Sequence, residues 1–245
     1  MDALILAAGL GTRLGELGRT TPKALVTVGE RTMLEHVARR LVDAGVGRII
    51  VNVHHHADRL AQWVGSHDLG AEVMLSIEEE YPLETGGGLR HACRFLQGTA
   101  PFFMHNVDVL AGADLGALMR AHQETGALAT LAVSARPSER RLLFDDGGLY
   151  GRVDASRGTR TEVRPPRGRT YEWPFSGIHV ASPELPGMIV ETGVFPIFDV
   201  YMRLAAGGAR IVPYDIGGVS WFEVGTPERL AAAREANADE TRPRS

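Results

Sequence analysis

The sequence predicts an α/β fold: a mixed, mostly parallel sheet flanked by helices, with an antiparallel insertion in its second half. Three observations predict it. Short, continuously apolar runs such as Ala3–Ala8 suit strands buried on both faces, as in parallel sheets. Such runs alternate with helix-period stretches as far as Val133, the pattern of β-α-β units. After Ser134 the texture changes: Leu142–Asp145 and Leu149–Val153 flank Asp146-Gly147-Gly148, a hairpin signal.

Ala3–Ala8 is the first strand, and it runs straight into Gly9-Leu10-Gly11. A helix follows from Thr32, where Thr32 and Glu35 form a capping box and Gly45 is a natural stop. Leu34, Val37, Leu41 and Val42 share one face of it. Arg48–Val53 reads as a strand, Ala57–Val64 as a helix and Ala71–Ile77 as a strand. Leu89–Leu96 reads as a helix, Pro101–His105 as a strand, Asp114–Gln123 as a helix and Leu128–Val133 as a strand. Beyond the hairpin, Arg157–Arg169 reads as a polar surface loop and Phe175–Val180 as a strand. A helix at Phe198–Ala206 precedes strands at Arg210–Pro213 and near Ser220–Val224. Pro227–Ala236 is a closing helix with proline in its first turn, and Asp239–Ser245 a polar, flexible tail. One domain over residues 1–238 is expected: a first part to 134, a second from 135 to 225, and the closing helix.

The bulk numbers exclude several classes. Of 245 residues, 44% are hydrophobic and 23% charged, enough for a real core. The net charge of −4 and the lack of a basic stripe argue against nucleic acid. One cysteine, Cys93, forms no intramolecular disulfide and no Cys-based zinc site; in a helical pattern it reads as a small core residue. The apolar start lacks a basic leader, and no run approaches a membrane span, so a cytoplasmic location is expected. His54-His55-His56 follows a strand, where adjacent side chains point to opposite faces and do not converge on one metal.

The chemistry concentrates in four places. From Leu6 to Leu25 a buried strand delivers the chain through Ala8 to Gly9, Gly11 and Thr12, with Arg13 and Pro22-Lys23 beyond. Glycines let backbone N–H groups approach an anion, Arg13 can fork onto a polyphosphate, and Pro22 presents Lys23 stiffly. A plain strand-to-helix turn would use the same glycines; the added Arg and Lys favour phosphate. The Walker pattern is absent, and Leu14 stands where the dinucleotide fingerprint needs glycine. The second place is Glu84-Thr85-Gly86-Gly87-Gly88, where bare backbone can lie against a base or ribose. The third is His105-Asn106-Val107-Asp108 at a strand end, which places Asp108 to hold a cation against phosphates. The fourth is Trp221-Phe222-Glu223-Val224-Gly225-Thr226, which offers a second carboxylate or merely a strand edge with Thr226 as a cap.

The first stretch resembles the signature of the sugar-1-phosphate nucleotidyltransferases, the NDP-sugar pyrophosphorylases, through Gly9-Leu10-Gly11-Thr12-Arg13 and Pro22-Lys23. Within that family, the Leu83–Gly88 form is similar to the N-acetylmuramate 1-phosphate uridylyltransferases of cell-wall recycling. The resemblance implies a Rossmann-like sheet of the nucleotide-diphospho-sugar transferase type. It implies that Leu6, Ala8, Gly9, Gly11, Thr12, Arg13, Thr85, Gly86, Gly87 and Asn106 bind the nucleotide. Glu79 sits where relatives often have a base-reading Gln. Asp108 and Glu223 would hold Mg²⁺, although the family usually has Gly before the first carboxylate and Asp as the second. Ser176-Gly177 matches a sugar-pocket pair; the usual Glu-Lys-Pro motif is missing, with Glu162 in the nearest segment.

The implied reaction has a sugar 1-phosphate attack the α-phosphorus of an NTP, UTP by preference, with release of pyrophosphate; Arg13 and Lys23 are its catalytic residues. An N-acetylmuramate or N-acetylhexosamine 1-phosphate is the expected acceptor. The alternatives are a guanylyl- or thymidylyltransferase, or a non-catalytic nucleotide-sugar-binding regulator. A glycosyltransferase is disfavoured, because Val109 and Leu110 follow Asp108 where an Asp-X-Asp motif would need a second acid. The oligomeric state is left open.

Overall fold

A computed structural model describes residues 1–96 and 98–241, the last three by backbone alone. A seven-stranded sheet forms its centre, in the order Ile211–Asp215, Ala129–Val133, Phe175–Ala181, Phe102–Asn106, Asp2–Leu6, Arg48–Val53, Glu72–Ile77. Phe175–Ala181 pairs antiparallel with both its neighbours, and every other pairing in the sheet is parallel. The expected mixed, mostly parallel sheet with an antiparallel insertion is the architecture found.

The apolar runs are buried on both faces, as parallel strands require. Ala3 and Ile5 join the core on one side of the sheet, with the helices Met33–Asp43 and Leu115–Thr125. Leu4 and Ile50 join the core on the other side, with Glu84–Ala92 and Ile197–Ala206. Each leucine or isoleucine so buried contributes roughly 1.5–3 kcal/mol. The Thr32–Glu35 capping box forms: Glu35 N–H donates to Thr32 Oγ1 at 3.2 Å, and Thr32 N–H donates to Glu35 Oε2 at 2.8 Å.

The hairpin of Arg140–Asp145 and Gly148–Asp154 belongs to a four-stranded antiparallel sheet completed by Thr159–Glu162 and Tyr171–Trp173. Thr159–Glu162 lies inside the stretch expected to be a loop. All four of its residues are exposed, so no hydrophobic alternation marked it; backbone pairing with Gly151–Asp154 makes it a strand. The rest of that stretch is anchored by Arg164, whose guanidinium forks onto Asp145 at 2.6 and 2.7 Å. That fork, aided by the Arg167 and Gly147 amides, holds the fully buried Asp145 carboxyl down at about 2.

Two other expectations are corrected. The helix expected at Leu89–Leu96 runs over Glu84–Ala92, followed by a short 3-10 turn at Cys93–Phe95. Gly86, Gly87 and Gly88 are therefore helical and buried, not an open loop. Their low helix propensity is overridden by packing, because a Cβ on Gly86 would lie 2.5 Å from Phe195. The closing helix runs Pro227–Thr241, longer than expected, and residues 242–245 of the expected tail lie outside the described residues. Among the described residues no helix is long and apolar enough to cross a membrane.

Two histidines sit in the sheet with almost no exposure. His179 shares a hydrogen bond of 2.8 Å with the Tyr201 hydroxyl, and His105 one of 2.8 Å with the carbonyl of Asn106. Burial pushes the His179 imidazole down from 6.5 to about 3, and His105 to about 4. Both are neutral when folded. The unfolded chain takes up protons below its ordinary imidazole pKa that the folded chain refuses. Stability is therefore full above about pH 6.5 and falls as the pH drops toward about 4. Urea unfolding at about pH 7.5 and about pH 5 is expected to show a lower midpoint at the acid value, and His179→Gln to shrink the difference. Equal midpoints in the unsubstituted protein would contradict neutral burial.

Candidate active site

The parallel strands end together at one edge of the sheet. The ladder continues one step past them, with Ala7 N–H donating to Asn52 O at 2.8 Å and Val107 N–H donating to Leu6 O at 3.1 Å. Three chain exits therefore converge there, and between them lies a cavity of about 590 Å³. Leu6, Ala8 and Gly9 line it from the first strand's exit, Asn106 and Asp108 from another, and Thr85 from the glycine helix.

Beyond the first strand, the amides of Ala8, Gly9, Leu10 and Gly11 find no protein acceptor among the described residues. Free, adjacent N–H groups of this kind form an anion cradle. Gly11 takes a left-handed φ of 65°, and the turn Thr12–Leu14 follows. The loop is held from beneath by the short helix Glu16–Thr20. Gly18 of that helix touches Gly11 so closely that a Cβ there would fall 2.0 Å from the Gly11 carbonyl oxygen.

Lys23, placed by Pro22 in an extended φ of −56° and ψ of 138°, pairs with the Asp108 carboxylate inside this cavity. The Lys23 and Asp108 side chains are only 11% and 18% exposed, so a charge here is felt with little screening. Glu223 is brought alongside by a two-stranded ribbon. Trp221–Glu223 pairs antiparallel with Val109–Ala111, and Val224 N–H donates to Asp108 O at 2.7 Å. The Glu223 carboxylate faces Arg229 at 2.5 Å and Arg13 at 3.6 Å.

Arg13 and Glu223 line a second, adjoining cavity of about 1220 Å³ with Ser134, Arg136 and Arg229. Arg140 lines both cavities. Arg136 lies 3.8 Å over the Trp221 ring and donates to the Phe175 carbonyl at 2.5 Å. Trp221 donates to the Ser176 carbonyl at 3.0 Å, which fastens the ribbon to the central sheet.

Several expected residues lie elsewhere. Glu79 is exposed and lines neither cavity; its neighbour Glu78 is the buried one, 2% exposed. Glu162 is exposed on the outer sheet and bound to Arg160 at 2.7 Å, because its strand pairs at the edge remote from the central sheet. Ser176 is fully buried, with its hydroxyl 3.2 Å from that of Ser134, and Gly177 packs under Val109 and Asn106. Gly86 and Gly87 are spent on Phe195 and Gly193 rather than on the cavity wall. Gly11 and Thr12 bridge the two cavities without lining either. His54 bonds the Glu78 carbonyl at 2.7 Å and His56 the Arg19 carbonyl at 3.1 Å, so the run is dispersed. Cys93 is half-buried in the 3-10 turn. Asn52, Arg136, Arg140 and Arg229 were not singled out from the sequence. Of these, only Asn52 carried a signal, a polar residue inside the apolar Arg48–Val53 strand.

Comparison with known proteins places this arrangement. Residues 3–186 match the MobA-like NTP transferase domain. The chain belongs to that family. It is 31% identical to N-acetylmuramate alpha-1-phosphate uridylyltransferase of Caulobacter vibrioides, over 97% of each chain. It is 29% identical to mannose-1-phosphate guanyltransferase of Candida albicans over 93% of its own length, and it spans 62% of that relative. UDP-glucose pyrophosphorylase of Acinetobacter baumannii superposes with a TM-score of 0.78 at 20% identity, covering 99% of this chain and 94% of the other, which shows the shared fold. The nucleotidyltransferase class expected from the sequence holds.

The Gly11–Gly18 contact has a direct consequence. Gly18→Ala forces the Gly9–Thr12 loop away from its position while leaving the sheet intact. A displacement of about an ångström at a reacting site costs on the order of 100-fold. Steady-state kinetics is expected to show kcat/KM for the NTP falling by ~10- to 100-fold, with an unchanged circular dichroism spectrum. Full activity in that variant would show that the loop position is unimportant.

Proposed function

We propose that this enzyme transfers a uridylyl group from UTP to N-acetylmuramate 1-phosphate or a related N-acetylhexosamine 1-phosphate, releasing pyrophosphate. The observation that carries it is the joining of Lys23, Asp108 and the free Ala8–Leu10 amides at one cavity at the strand ends. The Caulobacter vibrioides relative, similar over the whole length, supports the choice of base and sugar.

A phosphate oxygen of the acceptor attacks the α-phosphorus in line, and the bond to the β-phosphate oxygen breaks. The acceptor is already an anionic nucleophile, so no general base is needed. The obstacle is charge, and the residues answer it by position. The Ala8–Gly11 amides and Arg13 hold the β- and γ-phosphates. Lys23 leaves Asp108 to bridge the α-phosphate and the incoming sugar phosphate. Arg140, on the boundary of the two cavities, is placed to meet the acceptor phosphate. Asp108, in the turn before Val109–Ala111, and Glu223, on the strand paired with Val109–Ala111, are hard oxygen donors that would hold Mg²⁺. When bound, Mg²⁺ neutralises phosphate charge. Such an enzyme works in the cytoplasm, where nucleoside triphosphates are made, and with a muramate acceptor it serves cell-wall recycling. Guanylyl transfer to mannose 1-phosphate is the second reading, favoured by the Candida albicans relative.

Pyrophosphate release, with each NTP crossed against a panel of sugar 1-phosphates, tests the proposal. UTP with N-acetylmuramate 1-phosphate is expected to be the best pair; GTP with mannose 1-phosphate as the best pair would move the assignment to the second reading. Lys23→Ala and Asp108→Asn are each expected to lower kcat by roughly 100- to 1000-fold, the loss typical of removing one charge-stabilising group. Chelation by EDTA should abolish turnover and added Mg²⁺ restore it. Folded variants that keep full turnover would refute the roles given to these residues.

A further inference from the structure

A further cavity, of about 810 Å³, opens between the helices Met33–Asp43 and Pro227–Thr241 and the ribbon of Val109–Ala111 and Trp221–Glu223. Arg13, Lys23, Asp108 and Glu223 all lie outside its lining, so it is separate from the candidate active site. Phe222 alone is shared with the cavity of Arg13 and Glu223.

The charge in this cavity is unbalanced. Arg31, Arg39 and Arg40 line it against two acids, Asp43 and Asp68. Arg31 and Arg39 are exposed and form no ion pair among the described residues. Arg40 is half-buried, and its Nη2 donates to the Ala113 carbonyl. Its Nε is buried and finds no acceptor among the described residues. Burial lowers the pKa of this guanidinium against the opposing pull of Asp43 and Asp114, neither of which forms a salt bridge with it. A buried cation short of acceptors is costly, so an anion is owed to Arg40. Arginine forks match phosphate oxygens best. Val42, Leu110 and Phe222 are half-buried beside these arginines and offer an apolar floor. The two acids on the same rim disfavour a long polyanion, which leaves a single phosphate on an apolar body.

The cavity also touches the element that carries the site carboxylates. Gly112 N–H donates to Ser220 O at 2.8 Å and Val224 N–H to Asp108 O at 2.7 Å, so the ribbon is closed at both ends. Asp108 stands just before one of its strands, and Glu223 ends the other. Arg40 grips the Ala113 carbonyl just past the first strand. A ligand that draws the Arg40 guanidinium off that carbonyl shifts the seat of the ribbon, and with it the two carboxylates.

We propose that this cavity is a second ligand site, that it takes an organic phosphate monoester on Arg39 and Arg40 with the apolar body over Phe222, and that its occupancy alters turnover through the ribbon. The inference does not depend on which base or sugar the enzyme uses.

Phenyl phosphate is the probe, in calorimetric titrations of the full chain, with inorganic phosphate for comparison. Phenyl phosphate is expected to bind roughly tenfold tighter than inorganic phosphate, because its ring leaves water. Arg39→Ala and Arg40→Met are each expected to weaken it about tenfold or more, the loss of a charged hydrogen bond, with Lys23→Ala within about twofold of the unsubstituted chain. Arg39→Ala replaces an exposed side chain, so it decides the matter even where Arg40→Met disturbs folding. With the best substrate pair at saturation, phenyl phosphate should change kcat of the unsubstituted enzyme and leave that of Arg39→Ala unmoved. Equal binding by Arg39→Ala and the unsubstituted chain overturns the proposal. So does binding lost in Lys23→Ala but kept in Arg39→Ala, which would put the probe in the active site. Binding at the arginines without any change in kcat overturns the coupling through the ribbon.

Discussion

The site depends on the register of three parallel strands. Asp2–Leu6 pairs Leu6 with Asn52 on one side and with Asn106 on the other. That alignment brings three chain exits to one level, and parallel pairing makes all three point the same way. The glycine loop, Asn52 and the Asn106–Asp108 turn then meet at one cavity although they are far apart in sequence. A one-residue slip in any of these strands would turn every side chain on it to the opposite face. Catalytic geometry and core packing are therefore enforced by the same hydrogen bonds.

Charge is balanced inside the site before any substrate arrives. Lys23 faces Asp108, and Glu223 faces Arg229 and Arg13. The Lys23–Asp108 pair matters most, since a buried charge without a partner is expensive, whereas Arg13 and Arg229 are more than half exposed. A polyphosphate brings anions for the arginines and lysine, and a divalent cation would take the carboxylates. The partners are exchanged rather than created, which limits rearrangement during the reaction. The ribbon of Val109–Ala111 and Trp221–Glu223 couples the two carboxylates through backbone bonds, and Arg136 stacked on Trp221 stiffens it.

Glycine has three distinct uses here. Gly11 supplies a left-handed turn; Gly18 permits a backbone contact beneath that turn. Gly86, Gly87 and Gly88 bring a helix against Phe195, Gly193 and Asn52. The last three looked like a bare loop for a flat ligand. They stay off the cavity wall and act through what they allow to pack. Thr85, one residue earlier, is the part of that motif on the cavity wall, and its hydroxyl accepts from the Ile197 amide at 2.9 Å.

The sequence alone determined the layered α/β class, most strand positions and the nucleotidyltransferase class. Continuous apolar runs, capping residues and glycine-flanked cations are local signals, readable because each physical cause lies within a few residues. Lys23 and Asp108 were legible for that reason. Tertiary structure alone decided their pairing, the approach of Glu223 to Arg229, and the entry of Arg140 into both cavities. It also decided that Glu78, not Glu79, turns inward, because which of adjacent glutamates is buried depends on the partner Asn52 on the neighbouring strand. Strand Thr159–Glu162 was invisible for the same reason: its exposed side chains carry no pattern, and its conformation is set by backbone bonds to a strand that the local sequence does not name.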